Sequence, residues 1–125
     1  MDLISSIHAR IGNMALLYFL IVSLWGFYRF FRKQGIDSAF WGVLAIAEIL
    51  VIVQALLGAS LWVAGDRPAR SIHVLYGVVI PLLIPGAYLY TQGRGERAEI
   101  LVYATATIIT VGLIIRAVYT AQVAF

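Results

Sequence analysis

Four long runs of apolar residues, each broken by a short polar segment, dominate the pattern of the chain. Crossing the hydrocarbon core of a bilayer takes about 20 mostly apolar residues in a helix. Four stretches meet that length, from about Ile7 to Phe31, Ala39 to Ala64, Ser71 to Tyr90, and Glu99 to Ala121. The segments between them are Arg32 to Ser38, Gly65 to Arg70 and Thr91 to Ala98. Short loops make successive helices antiparallel neighbours, so the pattern predicts an all-α, up-down-up-down bundle of four transmembrane helices. Residues 1–125 are expected to form one domain.

Composition sharpens this reading. Of 125 residues, 62% are hydrophobic and 12% charged, against about 45–50% and 25% in soluble domains. The mean hydropathy is +0.95. The solvent for such a chain is lipid, and the expected setting is an integral, multi-pass protein of a bacterial or archaeal cytoplasmic membrane. The first apolar run is followed by Tyr28, Arg29, Phe30, Phe31, Arg32 and Lys33 rather than a small-residue cleavage site, so it reads as a retained span. The net charge of +3 arises from basic residues flanking the spans, which is ordinary membrane topology and gives no reason to expect a nucleic acid. Lacking cysteine, the chain has no disulfides, thiolate ligands or thiol nucleophiles.

Orientation follows from the loop charges. Arg29, Arg32, Lys33, Arg94 and Arg97 flank one side, and Arg10, Arg67, Arg70 and Arg116 the other. The excess on the first side places both termini outside the cytoplasm.

The chemistry-bearing feature is an internal repeat. Ser6-Ile7-His8-Ala9-Arg10-Ile11-Gly12 opens the first helix and Ser71-Ile72-His73-Val74-Leu75-Tyr76-Gly77 opens the third, both reading Ser-Ile-His-x-x-x-Gly. Helices one and three run in the same direction, which puts the two histidines at one depth. Two imidazoles facing each other across a bundle core are the axial ligands that a six-coordinate haem iron needs. The glycine four residues after each histidine lies on the same helical face, and lacking a side chain it leaves room for a macrocycle. The blander alternative makes each histidine an interfacial polar residue and each glycine a helix-packing position. Two copies that use both histidines of the chain favour haem b. A bare metal ion is less suited, because zinc usually takes at least three protein ligands.

Haem propionates pair with arginine. Arg116, Arg67, Arg70 and Arg10 all fall near the histidine end, with Arg116 the first candidate because an intramembrane arginine is costly. Its alternative is to snorkel to the headgroups. Gln54 is expected to hydrogen-bond across the bundle near the histidines. Glu48 lies deep from the other face, where it could bond a neighbouring helix or belong to a proton path. Pro81 and Pro85 are expected to kink the third helix. Asn13, Ser23, Thr105 and Thr107 read as contacts between helices.

His8, then Gln54 and Gly58 in a Gln-x-x-x-Gly segment, then His73 resemble the pattern of the haem A synthase family. That family's members usually contain two related four-helix bundles, each holding haem between histidines on its first and third helices. Half-sized members also occur and dimerise. The resemblance implies a haem-holding bundle here, with His8, His73 and Gln54 in the site. The family's catalytic glutamate, one turn before the first histidine, is replaced here by Ser5 or Ile4, and its outer-loop cysteines are missing. The leading expectation is therefore a bis-histidine b-type haem protein that serves electron transfer or haem handling in or beside a respiratory or photosynthetic complex. It would act as a homodimer or as a subunit of a larger assembly. Alternatives are a half-sized haem A synthase-like enzyme, a small proton-coupled exporter using Glu48, and a structural accessory subunit.

Overall fold

The computed structural model describes residues 2–122. They form four helices: α1 Asp2–Phe31, α2 Ser38–Val63, α3 Ile72–Thr91 and α4 Arg97–Gln122. Each contains a stretch long and apolar enough to span a membrane. The faces turned away from the bundle remain apolar, with Val63 85% and Leu89 78% exposed. In water this surface would be unfavourable. Against acyl chains it is the solvated surface, and backbone hydrogen bonds are satisfied within each helix.

Two features of the helices bear on the site. Helix α1 starts at Asp2, so His8 lies well inside it rather than at its opening, whereas His73 is the second residue of α3. Pro81 and Pro85 both fall inside α3, as the sequence places them, and the helix assignment is continuous through both.

The helices form a square. Helix α1 packs on α2 and α4, α3 packs on α2 and α4, and the diagonals are not in close contact. The α1–α4 side is tightly built: Ala15, Phe19 and Val22 are buried on α1, and Ile100, Tyr103 and Ala104 on α4. A Cβ built on Gly26 would stand 3.0 Å from the Cβ of Ala104, so the absence of a side chain there sets how closely these backbones approach. Ser23 Oγ donates to the Ala104 carbonyl at 3.0 Å across the same seam. Thr107 instead bonds its own helix, donating to the Tyr103 carbonyl, and Asn13 and Thr105 are exposed. The α2–α3 pairing is the sparsest of the four.

Loops at the two ends fix the register. At one end Asp37 caps α2 by accepting from the Phe40 amide at 2.8 Å, and it lies 3.5 Å from the Arg29 guanidinium. The Ile36 amide donates to the Gly95 carbonyl, tying the first loop to the third. At the other end, the amides of Ala69 and Arg70 donate to the carbonyls of Ala121 and Thr120 near the end of α4. The α2–α3 loop thereby satisfies carbonyls at a helix terminus, where intrahelical partners run out.

Candidate haem site

His8 on α1 and His73 on α3 meet across the diagonal of the square. Their ring centroids are 6.2 Å apart and the ring planes cross at 78°. A metal–imidazole bond is about 2 Å and the ring centre lies about 1 Å beyond the nitrogen, so imidazoles on opposite sides of one metal ion have centroids about 6 Å apart. The observed separation matches that figure. Crossed planes are compatible with it, because each ring can turn about its own metal–nitrogen axis.

Neighbouring groups orient the rings. His73 Nδ1 is 2.6 Å from the Ala117 carbonyl of α4. A carbonyl accepts only, so Nδ1 donates here and Nε2 is the nitrogen left free to face a ligand, as is usual where a ligating histidine gives its other N–H to a backbone carbonyl. On the other side, the His8 ring lies against Gly58 of α2, where a built Cβ would stand 3.1 Å from Cε1. His8 Nδ1 is buried and has no hydrogen-bond partner among the described residues. A buried, unpartnered imidazole nitrogen is costly as a permanent state.

Both histidines line a cavity of about 800 Å³, within the roughly 300–1,000 Å³ range of small-molecule and cofactor sites. Gly77 also lines it, and a Cβ built there would meet nothing within 4 Å, so this part of the wall is open. Gly12 plays a different part: a Cβ there would stand 3.2 Å from Nε2 of Gln54, making it the point where the Gln54 side chain crosses α1. The Gln54 amide donates to the backbone carbonyl of His8 at 2.7 Å and so fixes the helix that carries His8. Its Oε1 is buried without a hydrogen-bond partner among the described residues.

The four arginines separate. Arg67 lines the cavity mouth beside Asp66, and its guanidinium lies 3.8 Å from the centroid of the Trp62 ring. Arg70 is half-buried and bonds through its backbone to Thr120 and His73, and its side chain is not part of the wall. Arg116 is exposed and turned outward, its guanidinium 5.1 Å from the Tyr119 ring, and Arg10 is exposed on α1. Neither reaches the cavity. Position along the helix put Arg116 at the right depth, but its angular position faces away. Gly58, the bed under the His8 ring, was visible in the sequence only as the last residue of Gln-x-x-x-Gly, and spacing alone does not say what it touches.

No family model, curated protein or solved structure matches the chain. No group of three His, Cys, Asp or Glu side chains among the described residues could hold a metal ion. A metal ion held by this pair of histidines would need further ligands from outside that set.

Proposed function

We propose that the chain is a membrane-embedded b-type haem protein with His8 and His73 as the two axial ligands. The 6.2 Å centroid separation across the α1–α3 diagonal carries this reading. A haem bound there supplies a one-electron couple, Fe(III)/Fe(II), whose potential depends on axial ligands, burial and nearby hydrogen bonds. Around it, Ala117 holds the proton of His73 on Nδ1, Gly58 admits the His8 ring, and Gln54 fixes the backbone of α1. Gly77 leaves the wall open, and Arg67 stands at the mouth as the one candidate arginine for a propionate. A second reading is a half-sized enzyme similar to haem A synthase. One observation favours it: Asp66 is an acidic residue among those lining the cavity.

The task assigned to the haem is electron transfer or haem handling beside a larger complex of a bacterial or archaeal cytoplasmic membrane. The chain would act as a dimer or subunit there, with both termini on the non-cytoplasmic side. Haem stoichiometry tests the cofactor reading. Purified protein titrated with haem in detergent should saturate at one haem per chain and become reducible by dithionite. Absence of saturable uptake would reject it.

A further inference from the structure

Helices α1 and α2 meet through a reciprocal pair of glycines. His8 and Gly12 lie one turn apart on α1, and Gln54 and Gly58 one turn apart on α2. The His8 ring occupies the space over Gly58, where a built Cβ would stand 3.1 Å from Cε1. The Gln54 amide occupies the space over Gly12, where a built Cβ would stand 3.2 Å from Nε2. Each polar side chain thus fills the gap that the other helix's glycine leaves. Gln54 also reaches the residue one turn away, its Nε2 donating to the His8 carbonyl at 2.7 Å.

Two atoms at this seam are buried with no hydrogen-bond partner among the described residues, His8 Nδ1 and Gln54 Oε1. Oε1 shares its carboxamide with the Nε2 atom bonded to the His8 carbonyl, so it is held beside that residue. Because the carbonyl accepts only, Nε2 must face it, and Oε1 is the end left over. A carboxamide oxygen accepts only as well. Were Nδ1 without its proton, the seam would bury two acceptors and no donor for either, each unsatisfied. With the proton on Nδ1 there is one donor and one acceptor, and they satisfy each other. The torsions that bring them together, χ2 of His and χ3 of Gln, are both broad. His73 has the equivalent partner already, its Nδ1 lying 2.6 Å from the Ala117 carbonyl. No main-chain carbonyl of the described residues takes that place for His8, and Gln54 is the group at hand.

We propose that Gln54 is a positioning residue for the His8 ring: its Oε1 accepts from Nδ1–H, which leaves the lone pair of Nε2 for a ligand. The purpose of this bond rests on the haem reading, but the tautomer it sets is a property of the protein before haem is added. In the haem-loaded protein the same bond raises the basicity of the ligating nitrogen, favours Fe(III) and lowers the reduction potential.

The test is nitrogen-15 NMR of ring-labelled histidine in the haem-free, detergent-purified protein at about pH 8, where an ordinary imidazole is neutral. A His8→Ala spectrum identifies the His8 signals. Wild type is expected to show His8 protonated at Nδ1 and not at Nε2. Gln54→Leu removes the acceptor and should move the proton to Nε2 in a large fraction of molecules. Gln54→Glu keeps an acceptor oxygen in either protonation state and should retain the Nδ1–H form. A residue that served only to hold the α1 backbone would treat these two variants alike. After haem loading, Gln54→Leu should raise the reduction potential and Gln54→Glu should not. Protonation of His8 at Nε2 in wild type would overturn the proposal. So would a His8 signal in Gln54→Leu identical to wild type, or equal changes in the two variants. Should Gln54→Leu fail to fold, wild type and Gln54→Glu still decide. The tautomer is read without haem, so failure here is distinguishable from failure of the haem reading.

Discussion

The imidazole of His8 rests on Gly58, with 3.1 Å between Cε1 and the place a Cβ at residue 58 would occupy. The ring therefore occupies space that a side chain at residue 58 would need, which couples a ligand candidate on one helix to a glycine on the next. It turns the Gln54–Gly58 segment into a support with two functions. Gln54 holds the backbone of α1 through the His8 carbonyl, and Gly58 gives the ring its space.

Gly58→Val should therefore displace the His8 ring. Loss of support around a metal ligand typically costs about 10–100-fold in affinity, and haem retention is expected to fall by that order. Helical content should stay near wild type, because the substitution lies at the cavity. Haem titration with circular dichroism on the same sample checks this. Unchanged haem affinity would show that His8 does not need its present position.

Gln54→Leu is expected to remove the bond to the His8 carbonyl with little change of volume. Membrane insertion should be unaffected and haem affinity lowered by about tenfold, again through positioning. A Gln54→Glu variant retains an acceptor but cannot donate in its ionised form, so it should resemble Leu rather than wild type.

The arginines give an internal control. Arg67→Gln should weaken haem retention or change its dependence on salt, because Arg67 borders the cavity. Arg116→Gln and Arg10→Gln should not, since both side chains are exposed away from it. Parallel haem titrations of the three variants measure the difference. Equal effects from Arg67 and Arg116 would place the propionates elsewhere.

Packing on the far side of the bundle is a matter of stability rather than ligand. Gly26→Val would press a branched side chain onto Ala104 and Phe40, and overpacking of this kind typically costs about 1–3 kcal/mol. Thermal unfolding in detergent should show a lowered midpoint. A haem affinity unchanged below that midpoint would confirm that the α1–α4 seam and the site are independent.

Much of this architecture is legible in the sequence because lipid makes strong demands on it. Apolar runs of spanning length and short loops leave few alternatives to the antiparallel bundle, and the four observed helices follow from them. The repeated Ser-Ile-His-x-x-x-Gly places the histidines on parallel helices, and the square packing brings them together. Rotation about each helix axis is where sequence reading stops. These helices are apolar nearly all round, so periodicity does not mark which face turns inward. For that reason Arg116 stood first among the arginines by its depth although its side chain faces outward, and Gly12 and Gly77 looked equivalent. In the fold, Gly12 meets Gln54 while Gly77 faces open space. The extra turns of α1 before His8 were also hidden, because Asp2 to Ser6 carry too little apolar signal to extend a span, yet they continue the helix. The hydrogen bond from His73 to Ala117 depends on how α3 and α4 are rotated against each other, which no local motif records.

The most direct measurement is the visible absorption of the detergent-purified protein, oxidised and dithionite-reduced, for wild type, His8→Ala and His73→Ala. Two axial imidazoles on one haem predict sharp α and β bands in reduced wild type and their loss in each single variant, with helical content retained. A wild-type protein that stays colourless after haem is supplied, or bands that survive either substitution, would contradict the paired-histidine site.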